Sequence, residues 1–141
     1  MTVGPESLRR LRPELEIFSQ PCPLFVPLVE EGWHEDEITE AIARRYLEPL
    51  LEEGIDTLVL GCTHYPLLEP LIQRVVGDGV ELVDSAEAVA EAVAAKLDPA
   101  ASGAGPPEHH FCVTDGPDRF GGLARRILGE DQVSLELVEV L

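Results

Sequence analysis

The sequence predicts an α/β fold, a parallel sheet flanked by helices. Three observations carry this. Short apolar runs of strand length (Thr57–Leu60, Val80–Val83, His109–Val113) alternate with longer runs whose apolar residues recur every three to four positions. Glycine, proline or an Asx/Ser residue punctuates most junctions. Strands alternating with helices bury themselves most simply as a parallel sheet with helices on its faces.

Taken in order, Pro5–Leu11 predicts a short helix with Leu8 and Leu11 on one side, and Leu15–Phe18 alternates like a strand. Pro21, Pro23 and Pro27 break up Cys22–Val29, which reads as an ordered apolar loop and neither a regular helix nor a central strand. Glu35–Glu53 predicts a long helix: Ile38, Ile42, Tyr46 and Leu50 form its stripe, with Leu47 and Leu51 beside them. Pro49 should kink or restart it, and Gly54 should close it. After strand Thr57–Leu60, a helix over Pro66–Val76 starts on a proline suited to a first turn and buries Leu67, Leu68, Leu71, Ile72 and Val75. Strand Val80–Val83 leads to a helix over Ala86–Leu97, with Asp84 or Ser85 as cap. Residues 98–108 read as a linker, followed by strand His109–Val113, helix Pro117–Leu128 and strand Val133–Val140. Gly121 and Gly122 weaken that last helix. Right-handed crossovers would gather the turns at Cys62, Asp84 and Thr114 at one edge of the sheet, where open α/β sheets bind ligands.

The 141 residues suffice for one ordinary domain with a real core. The formal charge of −17, from 27 acidic and 10 basic residues, excludes nucleic acid and anionic membranes as partners. No apolar run reaches the ~20 residues of a membrane span, and the N-terminal residues lack a signal-peptide layout, so the expected location is cytoplasmic. The three cysteines, Cys22, Cys62 and Cys112, form no disulfide framework and fit a reducing compartment. No zinc-type ligand spacing appears and no phosphate-binding glycine motif, so no metal and no cofactor are expected.

The most informative segment is Gly61-Cys62-Thr63-His64-Tyr65-Pro66, between a predicted strand and a predicted helix. It delivers a thiol, a hydroxyl and an imidazole to a strand-to-helix turn. A cysteine there serves as nucleophile or proton carrier, tuned by a neighbouring histidine and by a helix N-terminus. In extended backbone Cys62 and His64 would share one face. From spacing alone the plainer reading is the preferred one: Cys62 a small buried residue, His64 a satisfied core histidine. Cys22 and Cys112 read as structural, with Cys112 in a core strand, and Tyr65 as a packing residue.

Leu60–Leu68 resembles the second cysteine motif of the glutamate racemases, within the cofactor-independent aspartate/glutamate racemase superfamily. Cys22–Gly32 resembles a second signature of that family and Leu82–Glu87 a third, in the right order. The likeness runs from about Thr2 to the C-terminus. It implies interconversion of L- and D-glutamate by two opposed thiols, supplying D-glutamate for peptidoglycan. Removing a weakly acidic α-proton and returning one on the other face needs a base and an acid, and a thiolate/thiol pair serves both directions. The resemblance implies that Cys62 is one of the two, taking the proton from L-glutamate. It implies a catalytic role for His64, a supporting one for Glu30 and a substrate contact for Thr63. Glu30 also reads as a solvent-exposed acid beside Glu31.

The family is a two-domain enzyme whose first cysteine lies in a Cys-Asn-Thr motif, with an Asp-Ser-Gly motif further upstream. Neither tripeptide occurs in these 141 residues. The resemblance therefore assigns residues 1–84 to the second racemase domain, with its beginning missing, and residues 85–141 to the C-terminal segment that returns to complete the first. A missing N-terminal half or a homodimer would supply the rest of the site, and the chain alone is expected to be inactive. Two alternatives stand: a racemase of aspartate or another small acid, which His64 directly after Thr63 disfavours, and a non-catalytic binding or regulatory remnant.

Overall fold

The strand expected around Leu58 forms as β1, Thr57–Val59, and pairs in parallel with β2, Glu81–Val83, with Leu58 opposite Leu82. The coordinates come from a computed structural model that describes residues 5–97, 109–128 and 134–139. The chain divides into two compact units, Met1–Ala92 and Val93–Leu141. The linker expected over 98–108 and the outer residues of the last strand lie outside the described residues. The sheet is two separate parallel pairs, β1 with β2 in the first unit and β3, Phe111–Val113, with β4, Leu135–Leu137, in the second.

In the first unit, α1 spans Pro5–Leu11. The alternation at Leu15–Phe18 forms no strand: Leu15 and Phe18 are 47% and 42% exposed, and the segment joins no ladder. The prolines of the next segment do not prevent a helix either. Phe25–Glu30 is a single helical turn and a half, α2, burying Phe25, Leu28 and Val29. Pro27 sits in its first turn, where a backbone N–H has no intrahelical acceptor and its absence removes no bond.

Helix α3, Glu37–Glu52, starts two residues later than expected because Asp36 caps it, accepting from the Ile38 N–H at 2.8 Å. It runs through Pro49 as one helix. Pro49 faces solvent while Leu47 and Leu50 on either side are buried, and their burial offsets the lost backbone bond. The buried stripe is Thr39, Ala43, Leu47 and Leu50, while Ile38 is 56% exposed. Small residues let this face approach its neighbours closely, and the Thr39 hydroxyl is satisfied by donating to Trp33 O at 2.7 Å. Gly54, at φ 74°, closes the helix as expected.

The helix expected from Pro66 is two elements: a 3₁₀ turn, Tyr65–Leu68, then α4, Glu69–Val76. Leu68, Leu71 and Ile72 are fully buried where α4 packs on α3. Gln73 braces the turn into β2, its amide donating to Gly77 O at 2.8 Å and Val80 O at 3.2 Å. Helix α5, Ala86–Ala94, is capped by Asp84, which accepts from the Ala86 N–H at 2.7 Å, and buries no residue.

In the second unit α6 spans Pro117–Leu128 despite its paired glycines. At Gly121 the helix lies close to β4: a Cβ there would lie 3.2 Å from the Leu135 side chain, which would have to give by a few tenths of an ångström. Cys112, expected in the core, is exposed. Strand alternation buries Val113 and turns Cys112 to the other face.

Candidate active site

β1 ends into the Cys62 turn. Leu60 extends the ladder, its N–H donating to Val83 O at 2.8 Å, and the chain then bends at Cys62. The Tyr65 N–H donates back to Cys62 O at 3.2 Å and the Leu67 N–H to His64 O at 3.1 Å. Cys62, Thr63 and His64 therefore sit in a turn, with His64 at φ −87°, ψ −27°, and not in the extended backbone that would align the first and third side chains. The helix-terminus argument also changes. Pro66 has no N–H, and those of Tyr65 and Leu67 are already used within the turn.

The turn is fixed by aromatic packing. Phe25 of α2 stands edge-on between Tyr46 and Tyr65, with ring centroids 5.5 and 5.3 Å away. The Tyr65 hydroxyl donates to Cys22 O at 3.2 Å. That bond ties the Cys22 loop to the Cys62 turn across the unit. Sequence reading placed Tyr65 in packing and missed this bond, since nothing in local spacing reports a partner so distant along the chain. Burial raises the Tyr65 phenol above its ordinary value, and the nearby Cys22 and Cys62 thiols add to the rise.

α2 brings the carboxylate in. Glu30, its last residue, places Oε1 3.6 Å from His64 Nε2, with both side chains about one-quarter to one-third exposed (31% and 26%). At that separation the contact is an ion pair when His64 is protonated and too long for a hydrogen bond. On the other ring nitrogen, Thr63 Oγ1 lies 3.3 Å from His64 Nδ1. In the neutral tautomer that carries its proton on Nε2, Nδ1 accepts from the Thr63 hydroxyl. The structure thus brings together Glu30, Thr63 and His64, with half-buried Cys62 in the same turn.

The remaining cysteines are not arranged for such chemistry. Cys22 is 6% exposed, its thiol donates to Gln20 O at 3.6 Å, and burial pushes its pKa up to about 11. Among the described residues no group of three or more potential ligands could hold a metal ion.

The fold and this turn define an α/β protein that presents a thiol, a hydroxyl and a carboxylate-backed imidazole at the carboxyl end of a parallel strand. Residues 20–93 match the Asp/Glu/Hydantoin racemase family, and the chain belongs to it. It is 52% identical over 137 residues to a glutamate racemase of Syntrophus aciditrophicus, covering 93% of this chain and 50% of that protein. A Neisseria meningitidis glutamate racemase is 45% identical over 139 residues, 95% of this chain and 50% of the relative. Among solved structures, a glutamate racemase isoform from Bacillus anthracis superposes with a TM-score of 0.81 at 33% identity, over 96% of this chain and 51% of its own. The Francisella tularensis glutamate racemase in complex with D-glutamate gives 0.77 at 32% identity, over 95% and 51%. The chain spans about half the length of the relatives it matches.

Proposed function

We propose that this chain carries one acid/base half of a glutamate racemase. Cys62 thiolate takes the α-proton of L-glutamate on one face; the electron pair stays on the substrate, delocalised into its carboxylate. A donor on the opposite face returns a proton to the α-carbon, giving D-glutamate for peptidoglycan. In the reverse direction Cys62 is the donor. His64 holds positive charge near the developing anion when protonated, Glu30 steadies that imidazole, and Thr63 offers its hydroxyl and N–H to a substrate carboxylate. Residues 1–84 act as the second racemase domain and 85–141 as the segment that completes the first.

The observation that supports this most is the 3.6 Å approach of Glu30 to His64 beside Cys62, which joins two motifs far apart in sequence at one turn. Glutamate is preferred over aspartate because the named relatives are glutamate racemases. The test is a hybrid in which these 141 residues replace the matching half of the Syntrophus relative. The hybrid should racemise glutamate and lose about 100- to 10,000-fold in rate on Cys62→Ala. A folded hybrid that exchanges no α-proton would falsify the reading.

A further inference from the structure

Two segments far apart in sequence meet at one phenol. The Tyr65 hydroxyl donates to Cys22 O at 3.2 Å, and the same carbonyl accepts the Phe25 N–H at 3.1 Å. Cys22 O therefore sits where α2 begins, and Tyr65 grips it there. The Tyr65 ring also stands edge-on to Phe25, with the planes at 84°, and Phe25 is 1% exposed. By its backbone Tyr65 belongs to the Cys62 turn: it follows His64 directly, and its N–H donates to Cys62 O. One residue thus holds α2 by its tip and the catalytic turn by its main chain.

These attachments close a ring around the site. From Cys22 O the path runs along α2 to Glu30, across 3.6 Å to His64 Nε2, and through one peptide bond to Tyr65. α2 is short and stiff, rising about 7.5 Å from Phe25 to Glu30, so a shift at its start is passed to the carboxylate at its end. Leu28 and Val29 bury the helix, but apolar packing has no direction and resists sliding weakly. The Glu30–His64 contact cannot fix α2 either, since both side chains are partly solvated and such pairs are weak. The phenol hydrogen bond has a direction and sets the register. Burial raises the phenol above its ordinary value, so the donor keeps its proton across the neutral range.

We propose that Tyr65 is a positioning residue: its hydroxyl, through Cys22 O, holds α2 in the register that sets the Glu30 carboxylate against the His64 ring beside Cys62. The kinetic consequence rests on the racemase reading; the latch itself rests on the geometry of the first unit.

Tyr65→Phe removes the hydroxyl and keeps the ring. Cys22 O retains its bond from Phe25, so the variant should fold with an unchanged urea slope. In the 141-residue chain, the nuclear Overhauser contact between the Glu30 side chain and the His64 ring should weaken several-fold in Tyr65→Phe. It should persist in Tyr46→Phe, the same deletion on the ring across Phe25. In the racemase hybrid, Tyr65→Phe should lower kcat about five- to tenfold with KM unchanged, because the displaced carboxylate supports the developing anion and not substrate binding. Added to Glu30→Gln it should lower kcat no further, since both changes remove one contact. Losses that multiply, a rise in KM in place of a fall in kcat, or an intact Glu30–His64 contact in Tyr65→Phe overturns the proposal. A Tyr65→Phe chain that does not fold also overturns it, by making the hydroxyl a determinant of the fold. An inactive parent hybrid, with the contact still lost on Tyr65→Phe in the chain, sinks the racemase reading and leaves the latch.

Discussion

Cys22 and Cys62 are linked through Tyr65, yet burial separates their chemistry. Cys22 is sealed and its thiol pushed up to about 11, whereas Cys62 is half-buried at the turn. Alkylation at pH 8 should therefore modify Cys62 and exposed Cys112 and spare Cys22 until the chain unfolds, read by peptide mass mapping. The same shift makes a stability prediction. The folded state holds the Cys22 proton more tightly than the unfolded chain, whose thiol has its ordinary value of 9.0. This contribution is fully present below pH 9 and is lost as pH rises from 9 to about 11; the raised Tyr65 phenol acts in the same direction. Stability measured by urea titration should fall by roughly 2 kcal/mol over that window, and Cys22→Ala should flatten most of the slope. At the same scale, Glu30→Gln in the racemase hybrid should lower the rate about tenfold or more by leaving the imidazole without its anion, with little change in urea midpoint. An equal loss on both measures would make Glu30 structural. Of these groups, Cys62, Thr63 and His64 are adjacent in sequence and were legible as a set. Glu30 entered through a family likeness; that it reaches His64 depends on how α2 packs, which no local pattern reports.

Elements were legible where one residue type controls the outcome, and misread where tertiary packing does. Gly54 and the Asp84 cap behave as their chemistry demands. Asp36 was overlooked beside Glu35 and Glu37, yet it alone has an oxygen 2.8 Å from the Ile38 N–H. Asp36→Ala should destabilise the chain by about 1 kcal/mol, read as a shift of the urea midpoint without a change of slope. α2 was misread because three prolines outweighed a short apolar run; only one of them lies in the helix, in a turn that needs no donor. In α3 the expected stripe holds at Leu47 and Leu50, which are buried, while in the first half of the helix the packed face is Thr39 and Ala43 in place of Ile38 and Ile42. Leu15–Phe18 has the alternation of a strand but pairs with no segment among the described residues, and a strand is a property of two segments and not of one.

At the scale of the whole chain the parallel pairing was legible, whereas the one sheet expected from it is, among the described residues, two parallel pairs, one in each unit. Val59 is 55% exposed, and Val89, Val93 and Leu97 are 58%, 50% and 66% exposed, although each has the composition of a core position. These surfaces agree with relatives twice as long. They bear directly on what the 141 residues can do alone. One thiol addresses one face of an α-carbon, and inversion needs a proton donor on the other. Cys22 is buried, with its proton held to about pH 11. Cys112 lies on an exposed strand position of the second unit, and its partner in the register is Glu136. Water could deliver the second proton, but a site open to solvent also forfeits the fixed dipoles that hold a developing anion. Loss of the opposing acid alone should cost about 100- to 10,000-fold. Incubated with L-glutamate in deuterated water, the isolated chain should show at most slow, Cys62-dependent exchange of the α-proton with retention, followed by NMR, and no D-glutamate by chiral chromatography. Robust D-glutamate formation abolished by Cys62→Ala would show that these residues hold both faces of the site, and a dimer present under the same conditions would place the second donor on a second copy.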